Sequence, residues 1–298
     1  MKRVAFIINP ASGVGSKSSL RRSIARSFHS DSGWEVELFH TKSAGDAFDA
    51  AWRYKEESFD LIVAVGGDGT VNRVAQALIY SSVPMGIIPT GSGNGLARHL
   101  KIPLPLSKAI DVLLRGRITI IDSGSVNGQP FFCTAGIGFD ANLANRFNTA
   151  PVRGFSSYVA LSALEYVHYH PEKYQIQIEG ASLEREAFLI TFANCAQWGN
   201  NVYIAPEASA SDGLLDMVIW KKTPVITIPF IAIRLLSKKI EHSDYFETIR
   251  GATFRIKRLQ EGWAHVDGED VQMGRELVVE VHPASLKVIC NFNEQMQL

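Results

Sequence analysis

"DLIVAVGGDGTVNRVAQALI", residues Asp60–Ile79, decides the fold. Leu61–Val65 is apolar at every position, as a parallel strand covered on both faces requires. Val71, Val74, Ala75, Leu78 and Ile79 then recur at i, i+3, i+4, i+7 and i+8, one face of a helix. Between the two patterns Gly66–Thr70 forms a turn with an aspartate set between glycines. The unit is strand, glycine turn, helix.

The same unit repeats on both sides. Val4–Ile8, Trp34–His40 and Met85–Pro89 read as strands. Lys17–His29 and Ala44–Ser58 read as helices, and another starts near Leu96 and is broken by Pro103 and Pro105. Repeated βα units predict a parallel, doubly wound α/β sheet with right-handed crossovers. Near Ile118 the pattern changes. "ITIIDSGSVNGQPFFCTAG" reads as two strands around Asn127-Gly128, a preferred hairpin pair. "KYQIQIEG", "EREAFLITFAN", "LLDMVIW", "TFRIKRL" and "ELVVEVHP" follow as further short strands. Helices about Ser156–His168 and Val225–Ile240 interrupt them. The expected architecture is an N-terminal α/β domain, residues 1–122, and a mostly antiparallel β-sandwich domain, residues 123–285. The segment from about 286 to 298 is expected to return to the first domain, and a cleft is expected between the two.

Composition narrows the function. The 298 residues are 46% hydrophobic and 20% charged, enough for a sizeable core. Thirty basic residues balance thirty acidic ones, so no global field favours nucleic acid. The three cysteines, Cys133, Cys195 and Cys290, are odd in number and widely spaced, which fits reduced thiols in the cytoplasm. "MKRVAFIINPASG" is basic then apolar, yet its apolar run is short and ends at Asn-Pro, so it reads as a strand and not a leader. Pro224–Leu236 is the longest later apolar stretch and falls short of the ~20 residues of a membrane span.

Three loops should leave the carboxyl edge of the parallel sheet, where ligands of open α/β sheets bind. They are "NPASGVG" after the first strand, "GGDGT" after the third and "TGSGNG" after the fourth. Glycines let backbone N–H groups turn toward a ligand, and a following helix start favours negative charge. Together they predict a polyphosphate cradle, although none is a dinucleotide fingerprint or a P-loop. Asp68 beside phosphates implies a cation, or a base that takes a hydroxyl proton.

On "INPASG", "GGDGTVN" and "IPTGSGNGLAR", with "PEASASDGLLDMVI" and "HVDGED" in the second half, the chain resembles the diacylglycerol kinase catalytic superfamily. That superfamily includes bacterial lipid kinases and the sphingosine and ceramide kinases. The resemblance implies ATP-dependent transfer of a γ-phosphate to a lipid alcohol. It sets Asn9, Ser12, Gly13, Thr41, Gly66, Gly67, Asp68, Gly69, Thr70, Asn72, Gly91, Ser92, Gly93 and Asn94 around the nucleotide. At Thr41 the residues alone equally support a helix N-cap.

The resemblance makes Glu269 the proton acceptor within Asp267-Gly268-Glu269, though Asp68 and Asp267 stay open as bases. By spacing alone, Asp-Gly there reads equally as a hairpin turn. The resemblance also implies Mg²⁺, held by Asp212 with backbone contributions near Ser209 and Leu214, besides a Mg²⁺ on the phosphates. Gly95 stands where many diacylglycerol kinases carry an aspartate, which leaves a long-chain base open as acceptor.

Phe147, Phe155, Tyr158, Trp198, Tyr203 and Val225–Leu236 are candidates for the lipid side. Lys221, Lys222, Arg234, Lys238 and Lys239 flank the last of these, so that helix reads as either core or a membrane-surface contact. The expected partners are a lipid alcohol, a transient membrane surface and no nucleic acid; a homodimer is compatible. An NAD kinase-like enzyme shares the "GGDGT" loop. A non-catalytic nucleotide or lipid sensor would dispense with the acidic residues that this chain keeps.

Overall fold

The computed structural model describes residues 1–13, 17–43, 45–149, 162 and 165–291. They fall into two compact units, Met1–Ile121 with the segment from Ala284 on, and Asp122–Pro283.

In the first unit β1 (Lys2–Ile8), α1 (Lys17–Ser27), β2 (Trp34–His40), α2 (Asp46–Glu56), β3 (Leu61–Gly66), α3 (Asp68–Leu78) and β4 (Met85–Pro89) alternate along the chain. Then come α4 (Gly95–His99) and α5 (Leu106–Arg115), and β5 (Arg117–Val126) runs on into the second unit. The strands pair in parallel in the order β2-β1-β3-β4. Helix α1 packs with α5, and α2 with α3, which covers both faces. That is why β3 and β4 are buried at every position. The order reverses between β1 and β3, so the loops after these strands open side by side. The expected doubly wound α/β domain is the observed one.

In the second unit β6 (Gln129–Phe131) pairs with β5 around Asn127 and Gly128, both at positive φ, as a type I′ turn requires. Then follow β7 (Thr134–Gly138), α6 (Phe139–Thr149), β8 (Glu172–Ile178), β9 (Ala181–Ala187), β10 (Leu189–Ala193), β11 (Gln197–Gly199), β12 (Val202–Tyr203) and β13 (Leu215–Trp220). The remainder is α7 (Ile228–Ser237), β14 (Phe246–Gly251), β15 (Thr253–Arg258), β16 (Gly262–Val266), β17 (Glu269–Met273) and β18 (Glu276–Cys290). A six-stranded antiparallel sheet runs β14-β13-β10-β7-β16-β17. Opposite it lie β8, β9, β15 and the first half of β18. Ile190, Phe192, Met217, Ile219, Ile176, Phe254, Ile256 and Val279 meet between the sheets, the alternating inner faces of a sandwich. The outer residues Leu189, Val218 and Trp220 pack under Phe139, Tyr166, Ile231 and Leu235. The second half of β18 lies beside β4 in the first unit's sheet.

Two expectations change in detail. The predicted helix Val225–Ile240 is a 3₁₀ turn at Val225–Thr227, then α7, then a second 3₁₀ turn at Ile240–His242. Pro229 lies in the first turn of α7, where its missing N–H costs nothing, and Lys238 in the left-handed region ends the helix. Thr41 is not an N-cap, because Gly45 holds that position before α2. Most of the predicted helix Ser156–His168, with Phe155 and Tyr158, lies outside the described residues, as does the Phe147 side chain. Among the described residues no helix is long and apolar enough to cross a membrane.

Candidate active site

The three glycine loops of the first unit meet one another through side chains. Asn9 Nδ2 donates to Thr70 Oγ1 at 3.1 Å, tying the loop after β1 to the start of α3. Ser12 Oγ lies 3.1 Å from Thr90 Oγ1, joining the first loop to the one after β4. Asp68 makes the third tie. Its Oδ2 accepts the Asn94 N–H at 2.8 Å and its Oδ1 the Gly95 N–H at 2.7 Å. Burial nevertheless holds this carboxyl above the usual carboxylate range; the backbone donors and the Arg98 charge only oppose that rise.

Asn94 closes the last loop on itself. It adopts the left-handed conformation, accepts the Gly91 N–H at 3.0 Å and donates to the Gly91 carbonyl at 2.7 Å. Such close ties need glycine. A Cβ on Gly91 would sit 2.5 Å from the Gly67 Cα, and one on Gly13 would sit 2.7 Å from the Thr90 carbonyl oxygen. Gly67 and Gly91 therefore pack backbone against backbone. The loops thus meet at the carboxyl edge of the parallel sheet, the place where open α/β sheets bind ligands.

Not every predicted nucleotide residue faces this place. Thr41 is buried and donates its N–H to the Ile8 carbonyl at 2.9 Å, extending the β1–β2 pairing. Asn72 is buried along α3 and accepts from Gln76 Nε2 one turn on. Ser92 stands exposed at the tip of its loop.

In the second unit, Asp267 and Gly268 both take positive φ and form a type I′ turn that pairs Val266 with Glu269. The Asp267 carboxylate accepts three backbone N–H groups, from Phe132 at 2.9 Å, Cys133 at 2.8 Å and Thr134 at 3.0 Å. It fastens the turn to the strand junction before β7. Glu269, half-buried, is the first residue of β17.

Behind this turn lies a buried polar cluster that sequence reasoning missed. His265 Nε2 is 3.0 Å from Asp140 Oδ2, and Thr191 Oγ1 donates to the same oxygen at 3.2 Å. Gly136 leaves the space, since a Cβ there would stand 2.4 Å from that carboxylate oxygen. His265 Nδ1 is buried without a partner among the described residues. The only linear signal was His265 two positions before Asp267; Asp140 is 125 residues away from it along the chain.

The predicted Mg²⁺ residues of the second unit meet a cation of the protein's own. Asp212 Oδ1 accepts the Leu214 N–H at 3.1 Å, and Ser209 Oγ accepts the Ser211 N–H at 3.3 Å. Arg250 binds Asp212 Oδ2 at 3.1 Å and Asp216 Oδ1 at 3.2 Å. Asp216 is pushed up to about 6 by burial, against the pull of Arg250, with the Asp212 and Glu207 charges adding to the rise. Among the described residues no three acidic, histidine or cysteine side chains gather to hold a metal ion. The Arg250 guanidinium is thus already seated on the carboxylate that the resemblance assigns to the metal.

A parallel α/β unit with three tied glycine loops is joined in one chain to a β-sandwich with an Asp-Gly-Glu turn, and similarity to known proteins places that combination among kinases. Residues 3–126 match the diacylglycerol kinase catalytic domain, and residues 133–290 match the YegS C-terminal NAD kinase beta sandwich-like domain. The chain belongs to this kinase family. It is 32% identical over 266 residues, 86% of each chain, to a protein named diacylglycerol kinase from Bacillus subtilis (strain 168). It is 30% identical over 266 residues to "Probable lipid kinase YegS" of Escherichia coli O1:K1, covering 85% of this chain and 86% of that one. A diacylglycerol kinase structure from Bacillus anthracis str. Sterne shares the fold, with a TM-score of 0.77, 22% identity and 97% of each chain covered. An NAD kinase from Archaeoglobus fulgidus is a more distant neighbour, with a TM-score of 0.52 and 16% identity over 97% of this chain and 94% of that one.

Proposed function

We propose that this protein is an ATP-dependent lipid kinase that transfers the γ-phosphate to the hydroxyl of a lipid alcohol, such as diacylglycerol or a long-chain base. The observation that carries the reading is the set of three tied glycine loops, with Gly67 and Gly91 packed backbone against backbone. Backbone N–H groups at such glycines suit the oxygens of a triphosphate, because they supply positive dipoles without side-chain reorganisation. The names of the two curated relatives support a lipid as the acceptor.

In this reading Asn9, Ser12, Thr70, Asp68 and Asn94 hold the loops in shape, and the glycine backbone orients the phosphates. Magnesium, when bound with the nucleotide, would neutralise charge on the phosphate oxygens. Asp68 is the carboxylate of these loops and the residue that would lie toward it. Glu269 takes the proton of the acceptor hydroxyl. Asp267 is less suited to that task, since three N–H groups already hold its charge. The expected place of action is the cytoplasmic side of a lipid surface.

The test is incubation with Mg·[γ-³²P]ATP and a panel of diacylglycerol, sphingoid base, other lipid alcohols and NAD, followed by chromatography. Label in a lipid supports the proposal and names the acceptor. Label in NAD alone would replace it with an NAD kinase. Nucleotide binding without label in any acceptor would leave a sensor.

A further inference from the structure

Helix α7 has two apolar faces. Ile231 and Leu235, 4% and 7% exposed, pack under the six-stranded sheet with Trp220 and Tyr166. The opposite side carries Phe230, Ile233 and Leu236 at 67%, 62% and 58% exposure, and Ile226 just before the helix is 80% exposed. A surface helix of a globular protein normally turns polar residues to that side. Lone exposed apolar residues are ordinary, but a run of them on one helix marks a surface that meets something.

The charges around α7 say what. From residue 217 to 240 the chain carries Lys221, Lys222, Arg234, Lys238 and Lys239 and no acidic residue, with Glu241 and, near it, Glu207 as the acidic neighbours, while the whole protein is balanced. Lys238 turns back over the Tyr203 ring, 4.5 Å from its centroid, and Arg234 donates to the His242 carbonyl. Their charges therefore stay beside the helix. Of the lipid-side candidates, Trp198 packs partly buried in the same cluster as α7, and Tyr203 is partly buried under Lys238. An apolar ridge in a basic field matches a bilayer with anionic headgroups, which offers acyl chain below and negative charge above.

We propose that the exposed face of α7, with Ile226, Phe230, Ile233 and Leu236 as the ridge, docks this protein on the surface of an anionic lipid bilayer. The choice of occupant rests on the lipid-kinase reading. The ridge enters the headgroup–acyl boundary and the exposed Lys221, Lys238 and Lys239 meet the headgroups, while Lys222 stays bonded to the Tyr169 carbonyl; no segment crosses.

The experiment sediments the full chain with phosphatidylcholine–phosphatidylglycerol vesicles and with vesicles of phosphatidylcholine alone. The wild type should partition to the mixed vesicles and be released by salt. Phe230→Ser with Ile233→Ser should weaken partition by roughly tenfold or more, as expected for lost insertion of two large apolar side chains. Lys239→Glu should weaken it less and reduce the salt effect. Leu259→Ser, at an exposed apolar residue outside the ridge, should bind as the wild type does. Equal sedimentation of wild type and the double variant overturns the proposal. So does a wild-type dimer in light scattering that the double variant converts to monomer, since the ridge would then face a second copy. Phosphorylation of dispersed short-chain lipid separates the two readings. If that activity is present while the double variant still sediments, docking fails and the kinase stands. If no lipid is phosphorylated but the ridge controls sedimentation, the docking stands and the kinase reading fails.

Discussion

Asp68 and Asp267 are both aspartates next to glycine, and both bind backbone N–H groups of a loop distant in sequence. Their settings differ. Asp68 opens α3 and joins two strand-to-helix loops of one parallel sheet. Asp267 stands at the tip of an antiparallel hairpin, at positive φ, and holds a strand junction on its own sheet. In the parallel unit the carboxylate is buried enough that desolvation outweighs its donors. Two motifs that read from sequence as acid/base chemistry thus serve first as loop fasteners. Under the proposed function, Glu269 is then the base of "DGE".

That assignment predicts the largest effect. Glu269→Gln should lower kcat for lipid phosphorylation by about 10²–10⁴, with nucleotide affinity unchanged in a titration of ATP binding. An equal loss in Asp267→Asn with full activity in Glu269→Gln would reverse the two roles.

The fastener itself comes next. Asp267→Ala leaves three N–H groups short of their acceptor and puts alanine at positive φ, so urea unfolding should show a loss of about 2–4 kcal/mol. Asp267→Asn tolerates the backbone conformation and should recover part of it.

A pH test concerns the third acidic site. Asp216 binds its proton more tightly folded than unfolded, because burial raises its folded pKa to about 6. The folded state then holds more protons between about pH 4 and 6, so its contribution to stability is present in acid and lost as pH rises through that window. The change is at most about 3 kcal/mol, one pKa unit being about 1.4 kcal/mol. Asp216→Asn should flatten the slope of unfolding free energy between pH 4 and 7, and an unchanged slope would remove Asp216 as its source.

Asp68→Asn should have the smallest effect, within about 1 kcal/mol on urea unfolding. It gives up one acceptor but also relieves the cost of a buried charge. A loss as large as that of Asp267→Ala would make the two fasteners equal.

Much of this was legible in the residues. Trp34–His40 and Met85–Pro89 are strands with the predicted bounds, because alternation in the first and an apolar run in the second, each between turn signals, leave little choice. Asn127-Gly128 gave its turn for the same local reason. The helix α6 went unread, since Phe139–Thr149 has a weak apolar period and follows directly on Gly138, the last residue of β7. The Asp140–His265 pair and the Arg250 bridge also went unread, because their members are far apart in sequence and each looks ordinary alone.

The sequence by itself determined the alternation of strand and helix, the change to antiparallel strands, and the loops that carry glycine. Those follow from local periodicity and backbone freedom, which act over a few residues. Only the tertiary structure decided that Asp68 and Asp267 are acceptors for neighbouring loops, that Arg250 occupies the carboxylate of Asp212, and that α7 shows an apolar face outward. Burial and hydrogen-bond partners belong to pairs of distant residues, and packing, not spacing along the chain, assigns them.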